Sequence, residues 1–189
     1  MNTLQDLFED TLRDVYYAEA AIVKALPKMA KAAGTKKLQA LFTAHLAETK
    51  EQILRLDEVF GMINVKPSGK ECHAIDGIIQ EGEDLIAEKP AQAVLDAGLL
   101  AAAQAVEHYE MARYGTLRAW ADQIGLSDAA KLLEQTLSEE KSADAQLSVL
   151  ALAMVNASAD GGSRDRVKSV KSNSTKSDSK ADKPVNPSR

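Results

Sequence analysis

Cysteine is nearly absent. Cys72 is the only one in 189 residues, so no intrachain disulfide can form, and a reducing compartment is the simplest expectation. Aromatic residues make up only 4% of a chain that is 45% apolar. Alanine and leucine fill the gap, which favours a helical protein whose core is built from small and medium side chains. Long apolar runs are also missing. The longest candidate, from Ala97 to Val106, is too short for a membrane span and is followed at once by Glu107. The opening segment, MNTLQDLFEDTL, is acidic and amphipathic and lacks the basic and apolar regions of a signal peptide. A cytoplasmic protein with no membrane partner is therefore expected.

The net charge of −5 is unevenly distributed. Residues 158–189 carry eight basic and four acidic side chains, a net of +4, which leaves −9 on the rest of the chain. An acidic body repels a phosphate backbone, so nucleic acid is not expected as a partner. Residues 158–189 are rich in Ser, Lys and Asp and poor in large apolar residues. They read as a disordered, basic, solubilising tail behind a helical domain at residues 1–157.

Within that domain the apolar periodicity predicts four long helices. The first covers residues 3–33, with Phe8, Leu12, Val15, Ile22, Leu26 and Met29 on one face and Pro27 as a source of a kink. Gly34 and Thr35 mark a turn. The second covers residues 37–63, with Leu38, Leu41, Phe42, Leu46, Ile53, Leu56 and Phe60 on its apolar face. A loop with Pro67 and Gly69 leads to a short helix at residues 73–88, read as part of a long crossover. The third long helix covers residues 91–124 and is ended by Gly125. Ser127 is the expected cap of the fourth, which runs to about residue 157.

Each long helix interrupts its own apolar stripe with acid. Glu19 lies between Val15 and Ile22, and Glu107 and Glu110 lie between Val106 and Tyr114. Glu140 and Asp144 lie between Leu137 and Leu147, while His45, Glu48, Thr49 and Gln52 sit near the centre of the second helix's face. An internal repeat orders these interruptions. An offset of 91 residues carries Gly34 onto Gly125, Glu19 onto Glu110, Phe42 onto Leu133 and Leu46 onto Leu137. The same offset carries Glu48 onto Glu139. A slip of one residue would carry it onto Glu140, the choice that better fits the stripe. Two helical hairpins related by a pseudo-two-fold axis would bring all four acidic levels together.

Several carboxylates in a low-dielectric core repel one another unless cations neutralise them. Two divalent ions, iron or manganese, would do so, and zinc could occupy the same donors in vitro. The expected metal ligands are Glu19, His45, Glu48, Glu107, Glu110, Glu140 and Asp144, with Asp144 either a ligand or an outer acceptor. Tyr16 and Tyr114 are placed to line the site. His108 is read as outer or surface, and the Cys72–His73 pair as surface or satellite core.

Four long stretches carry a family resemblance: LQDLFEDTLRDVYYAE, HLAETKEQILRLDEVF, AAAQAVEHYEMARYGTLRAWA and LLEQTLSEEKSADAQL. Across residues 4–155 the chain resembles the YciE/YciF (DUF892) family of ferritin-like proteins. The resemblance implies an all-α, ferritin-like four-helix bundle with a long crossover containing a short extra helix. It also implies frequent homodimers, a link to bacterial stress responses and a suspected dinuclear metal centre. The wider ferritin-like template places a Glu on the first and third helices and Glu-x-x-His on the second and fourth. Glu19 and Glu110 match. The second helix reverses the order as His45-Leu-Ala-Glu48, and the fourth, from Glu140 to Asp144, has no histidine. The expected function is a carboxylate-rich iron or manganese centre that oxidises Fe(II) or reacts with oxygen or peroxide. The alternative is a non-catalytic helical scaffold or protein-interaction module.

Overall fold

The computed structural model describes residues 1–160. It is all-α, a ferritin-like four-helix bundle. The elements are α1 (Leu4–Ala32), α2 (Lys36–Met62), α3 (His73–Glu88), α4 (Gln92–Gln123) and α5 (Ser127–Leu150). A π-helical segment at Ala151–Val155 and α6 (Asn156–Ala159) follow. The tail expected at residues 158–189 lies, from residue 161 onward, outside the described residues. Among the described residues no helix is long and apolar enough to cross a membrane.

The helix ends follow from local chemistry. Thr3 and Asp6 form a reciprocal capping box: the Thr3 hydroxyl accepts from the Asp6 N–H at 3.1 Å, and the Asp6 carboxylate accepts from the Thr3 N–H at 3.1 Å. Thr35 caps α2 by accepting from the Leu38 N–H. Gly125 takes a φ of +81° after α4, a conformation that favours glycine. The cap expected from Ser127 is not formed. Ser127 is the first residue of α5, and Leu126 before it offers no capping side chain. Leu126 instead donates its N–H to the Ala121 carbonyl at 2.8 Å, so the tight turn itself ties the two helices. Pro27 does not end α1, which continues to Ala32 with the ring exposed.

Two short turns make two hairpins, α1–α2 and α4–α5. The first turn is held against α4: the Gly34 N–H donates to the buried Asp96 carboxylate at 2.7 Å. The crossover between the hairpins is long because it must traverse the bundle. It starts beside the beginning of α1, where the Lys70 N–H donates to the Arg13 carbonyl at 3.0 Å. It continues along α1 through Tyr17–Asp76 (3.0 Å) and Lys28–Glu83 (2.6 Å). It ends where Gln92 donates to the Ala32 carbonyl at 3.0 Å. Helix α3 packs on α4 through Gly98, where an added Cβ would collide with the Leu85 side chain.

The apolar core is in two parts. One holds Phe8, Leu12, Val15, Phe60, Tyr114, Leu117 and Leu133. The other holds Ile22, Leu26, Phe42, Ile75, Leu99, Leu100 and Leu147. The start of α1 thus shares one end of the bundle with the ends of α2 and α4 and the start of α5. Burial of each large aliphatic side chain contributes about 1.5–3 kcal/mol, so both ends are firmly packed. Between them lies a buried polar layer.

The repeat needs no slip. At the constant offset of 91, Val15 pairs with Val106, Glu19 with Glu110, His45 with Thr136, Thr49 with Glu140 and Leu56 with Leu147, and every one of these residues is buried. The one-residue slip that matched Glu48 to Glu140 is corrected: the counterpart of Glu140 is Thr49. The reason is helical geometry, since adjacent residues point about 100° apart and Glu48 falls on an exposed flank.

Candidate metal centre

The polar layer draws on all four long helices. Glu19 of α1 is fully buried, as is Glu140 of α5. Helix α2 contributes His45, Thr49 and Gln52, and α4 contributes Glu107 and Glu110, all buried. These residues recur at steps of three and four, so they stack along the inward seam of each helix.

His45, Glu107, Glu110 and Glu140 each present one donor atom, and the four donors lie within 4.8 Å of one another. This buried carboxylate and imidazole cluster is able to coordinate a divalent metal. The imidazole Nδ1 is 3.6 Å from Glu107 Oε1, and its Nε2 is 3.9 Å from Glu110 Oε2. Both separations exceed a hydrogen bond. Neither ring nitrogen has a hydrogen-bond partner, nor do both oxygens of Glu110 or one oxygen each of Glu19, Glu107 and Glu140. Buried polar atoms are normally satisfied. A set of unsatisfied polar atoms converging from four helices is what a cation would complete, so the residues present fit a metal.

The electrostatics follow from burial. Burial, then the Glu140, Glu19 and Glu107 charges, push the Glu110 carboxyl well above the ordinary glutamate range. Burial and Glu140 do the same to Glu19, partly opposed by the Tyr114 hydroxyl, which donates to its Oε1. Glu107 is pushed up to about 11, by burial first and then by sharing a proton with Glu140. Burial raises Glu140 too, against its shared proton with Glu107 and the hydrogen bond it accepts from the Gln52 amide. Burial alone lowers His45 to about 4, which leaves its imidazole neutral at pH 7 and able to act as a ligand. Ligation needs these carboxyls ionised, so cation binding would release protons from the cluster.

The other expected residues occupy different places. Glu48 is exposed; burial and Glu139 raise its carboxyl, and it borders a cavity that His45 and Glu107 also line. Asp144 is half-buried outside the cluster, accepting from Gln104 at 3.1 Å, with His108 Nε2 at 3.3 Å. His108 is exposed, as expected. Tyr114 reaches the layer, but Tyr16 does not. Tyr16 packs edge-on against Phe60, with centroids 5.5 Å apart. Cys72 is a buried core residue whose Sγ lies 3.1 Å from the Tyr109 hydroxyl, while His73 is exposed.

Sequence reasoning missed Arg55. Its guanidinium donates to both oxygens of Glu139, at 2.7 and 2.8 Å, and to the Thr136 hydroxyl at 2.7 Å. With the Gln52 amide on Glu140 this closes the α2–α5 side of the layer. The spacing of Gln52 and Arg55, three residues apart beside the buried stripe, was the available signal.

Similarity to known proteins agrees with this architecture. A family model described as "Domain of unknown function (DUF892)" matches residues 3–160. Protein YciF of Escherichia coli (strain K12) is 45% identical over 161 residues, which cover 85% of this chain and 97% of that protein. The crystal structure of the E. coli stress protein YciF is similar with a TM-score of 0.80 at 46% identity, over 82% of this chain and 99% of that one. YcfI from Rhodopseudomonas palustris gives a TM-score of 0.76 at 50% identity, over 78% and 94%. With its whole helical region inside the match, the chain belongs to the DUF892 family, the ferritin-like proteins of the YciE/YciF type.

Proposed function

We propose that this protein holds two divalent ions, iron or manganese, in its polar layer and oxidises Fe(II) with dioxygen or peroxide as part of a bacterial stress response. The observation that carries the reading is the convergence of His45, Glu107, Glu110 and Glu140 with donor atoms that nothing in the protein satisfies. In this reading Glu107, Glu110, Glu140, His45 and Glu19 are the ligands. Glu48 and Asp144 serve at the rim. Four carboxylates to one imidazole suit a hard ion. Bound iron or manganese would supply one-electron chemistry toward an oxidant. The protein's own part is to hold the donors rigidly, to exclude bulk water with the two apolar lobes, and to take up or release protons at Glu107 and Glu140. Tyr114 orients Glu19 through its hydroxyl.

The stress assignment rests on the name of a relative 46% identical to this chain. A cytoplasmic setting fits the single, buried thiol of Cys72. We assign a homodimer to the small-residue strip on α4, where Ala101 and Ala105 are exposed. The scaffold reading is favoured by one observation: α2 places Thr49 and Gln52 beside His45 at its buried positions and contributes no buried carboxylate.

Crystals soaked in Fe(II) or Mn(II) and measured at each absorption edge test the centre. Two anomalous peaks about 3.5–4 Å apart are expected among the four helices, and no peak at saturating metal overturns it. Oxygen consumption on adding Fe(II) tests the chemistry. Glu110→Gln should slow it at least about tenfold, and equal rates leave the scaffold reading.

A further inference from the structure

An apolar lobe packs against each end of the polar layer, and Arg55 and Glu139 bridge α2 to α5 beside it. A pocket of about 60 Å³, open to solvent and lined by residues of α1 to α5, still reaches the layer. The exposed side chains Lys28, Ala44, Glu48 and Gln146 stand at its mouth. His45 and Glu107 stand on its inner wall, only 6% and 2% exposed. Both imidazole nitrogens and Glu107 Oε2 have no hydrogen-bond partner. The pocket therefore leads from water to donors of the cluster.

The carboxylates along this path differ. Glu83 is held by Lys28 at 2.6 Å, so those two charges offset each other. Glu48 forms no salt bridge among the described residues. It follows His45 by three residues on α2, so the two side chains line the same wall one helical turn apart. His45 is buried and Glu48 is exposed. An ion entering a buried site gives up water, and each lost water has to be replaced by a protein donor. An unpaired carboxylate at the mouth also raises the local concentration of cations. The space of about 60 Å³ exceeds the roughly 10–15 Å³ that one water needs, so an ion can pass with part of its hydration.

We propose that Glu48 is a transit ligand for divalent cations: it captures them at the pocket mouth and passes them to His45 and Glu107, outside the final centre. The assignment rests on the metal reading of the polar layer. It gives the order His45-Leu-Ala-Glu48 a physical sense, with the exposed glutamate as entrance and the buried histidine as destination. A ligand used only in passage changes entry and exit rates together and leaves the equilibrium alone.

Co(II) mixed with the metal-free protein in a stopped-flow spectrometer reports entry through its visible absorption. Excess chelator mixed with the loaded protein reports exit. Glu48→Gln should slow both at least about fivefold at low ionic strength, with the dissociation constant changed less than about twofold. Glu48→Asp, which keeps the charge, should recover most of the rate. Glu58→Gln removes the same charge about 15 Å further along α2, outside the pocket, and should leave both rates unchanged. Unchanged rates in Glu48→Gln, or equal slowing in Glu58→Gln, overturn the assignment while the metal reading stands. So does a Glu48→Gln protein whose affinity falls while its entry rate holds, since that marks a ligand of the centre itself. A wild-type protein that does not bind Co(II) sinks the metal reading, and this assignment with it.

Discussion

Both carboxyl oxygens of Glu110 are buried without a donor, and its neighbours are three other acids and a neutral imidazole. The pH dependence of the metal-free protein follows. Glu19, Glu107, Glu110 and Glu140 bind protons more tightly folded than at the ordinary glutamate value of 4.5. Above 4.5 the folded state therefore holds more protons, and stability falls as pH rises; for Glu107 that window extends to about 11. His45 acts oppositely, but only between about 4 and 6.5, where the unfolded state holds its extra proton. Above pH 6.5 only the destabilising contributions are left. Urea unfolding in chelator should show stability dropping between pH 6.5 and 8.5 with a slope of about 1.4 kcal/mol per pH unit or more. A flat or rising profile would contradict proton-held carboxyls. Saturating Mn(II) should reverse the slope, because its ligands must be ionised. The Tyr114 hydroxyl is the donor that satisfies Glu19 Oε1. Tyr114→Phe should cost about 1–3 kcal/mol in the same assay, and an unchanged midpoint would show the bond to be dispensable.

Among the elements, the four long helices and α3 were legible because apolar periodicity and two turn glycines agree. The expected ends at residues 3–33, 37–63 and 73–88 differ from the observed ones by one residue or none. The fourth long helix was less clear: it ends at Leu150 and gives way to a π-helical segment, which no spacing rule signals. The face of α2 was misjudged at one position for a definite reason. With His45, Glu48, Thr49 and Gln52 clustered near its seam, composition cannot say which of two adjacent polar residues points inward. Packing makes that choice, burying Thr49 and exposing Glu48. Helix α3 offers a direct test. Gly98→Val would drive a branched side chain into Leu85, and we expect a loss of about 1–3 kcal/mol. Hydrogen exchange should localise the loosening to residues 73–88. Uniform protection would show that α3 docks by other contacts.

The whole molecule is two apolar lobes held apart by an unsatisfied acidic layer. Such a layer weakens a metal-free bundle, and a ligand that binds only the folded state adds stability by mass action. Mn(II) or Fe(II) at a hundred times its dissociation constant should stabilise the protein by about 2.7 kcal/mol. Calorimetry should show a higher melting temperature for wild type and little change for Glu110→Gln. The same rise in both proteins would place the metal elsewhere.

Sequence by itself determined the helices, their pairing into two hairpins and the convergence of polar positions from all four long helices, because periodicity and the 91-residue repeat are properties of the chain alone. It also supplied the family, through four long stretches that resemble it. Only the tertiary structure decided that Thr49 stands where a second Glu140 would be, that Arg55 and Glu139 clasp α2 to α5 beside the layer, and that a pocket reaches His45 and Glu107. Those outcomes depend on side chains from helices far apart in the chain meeting at one level. No local pattern encodes the space left between them.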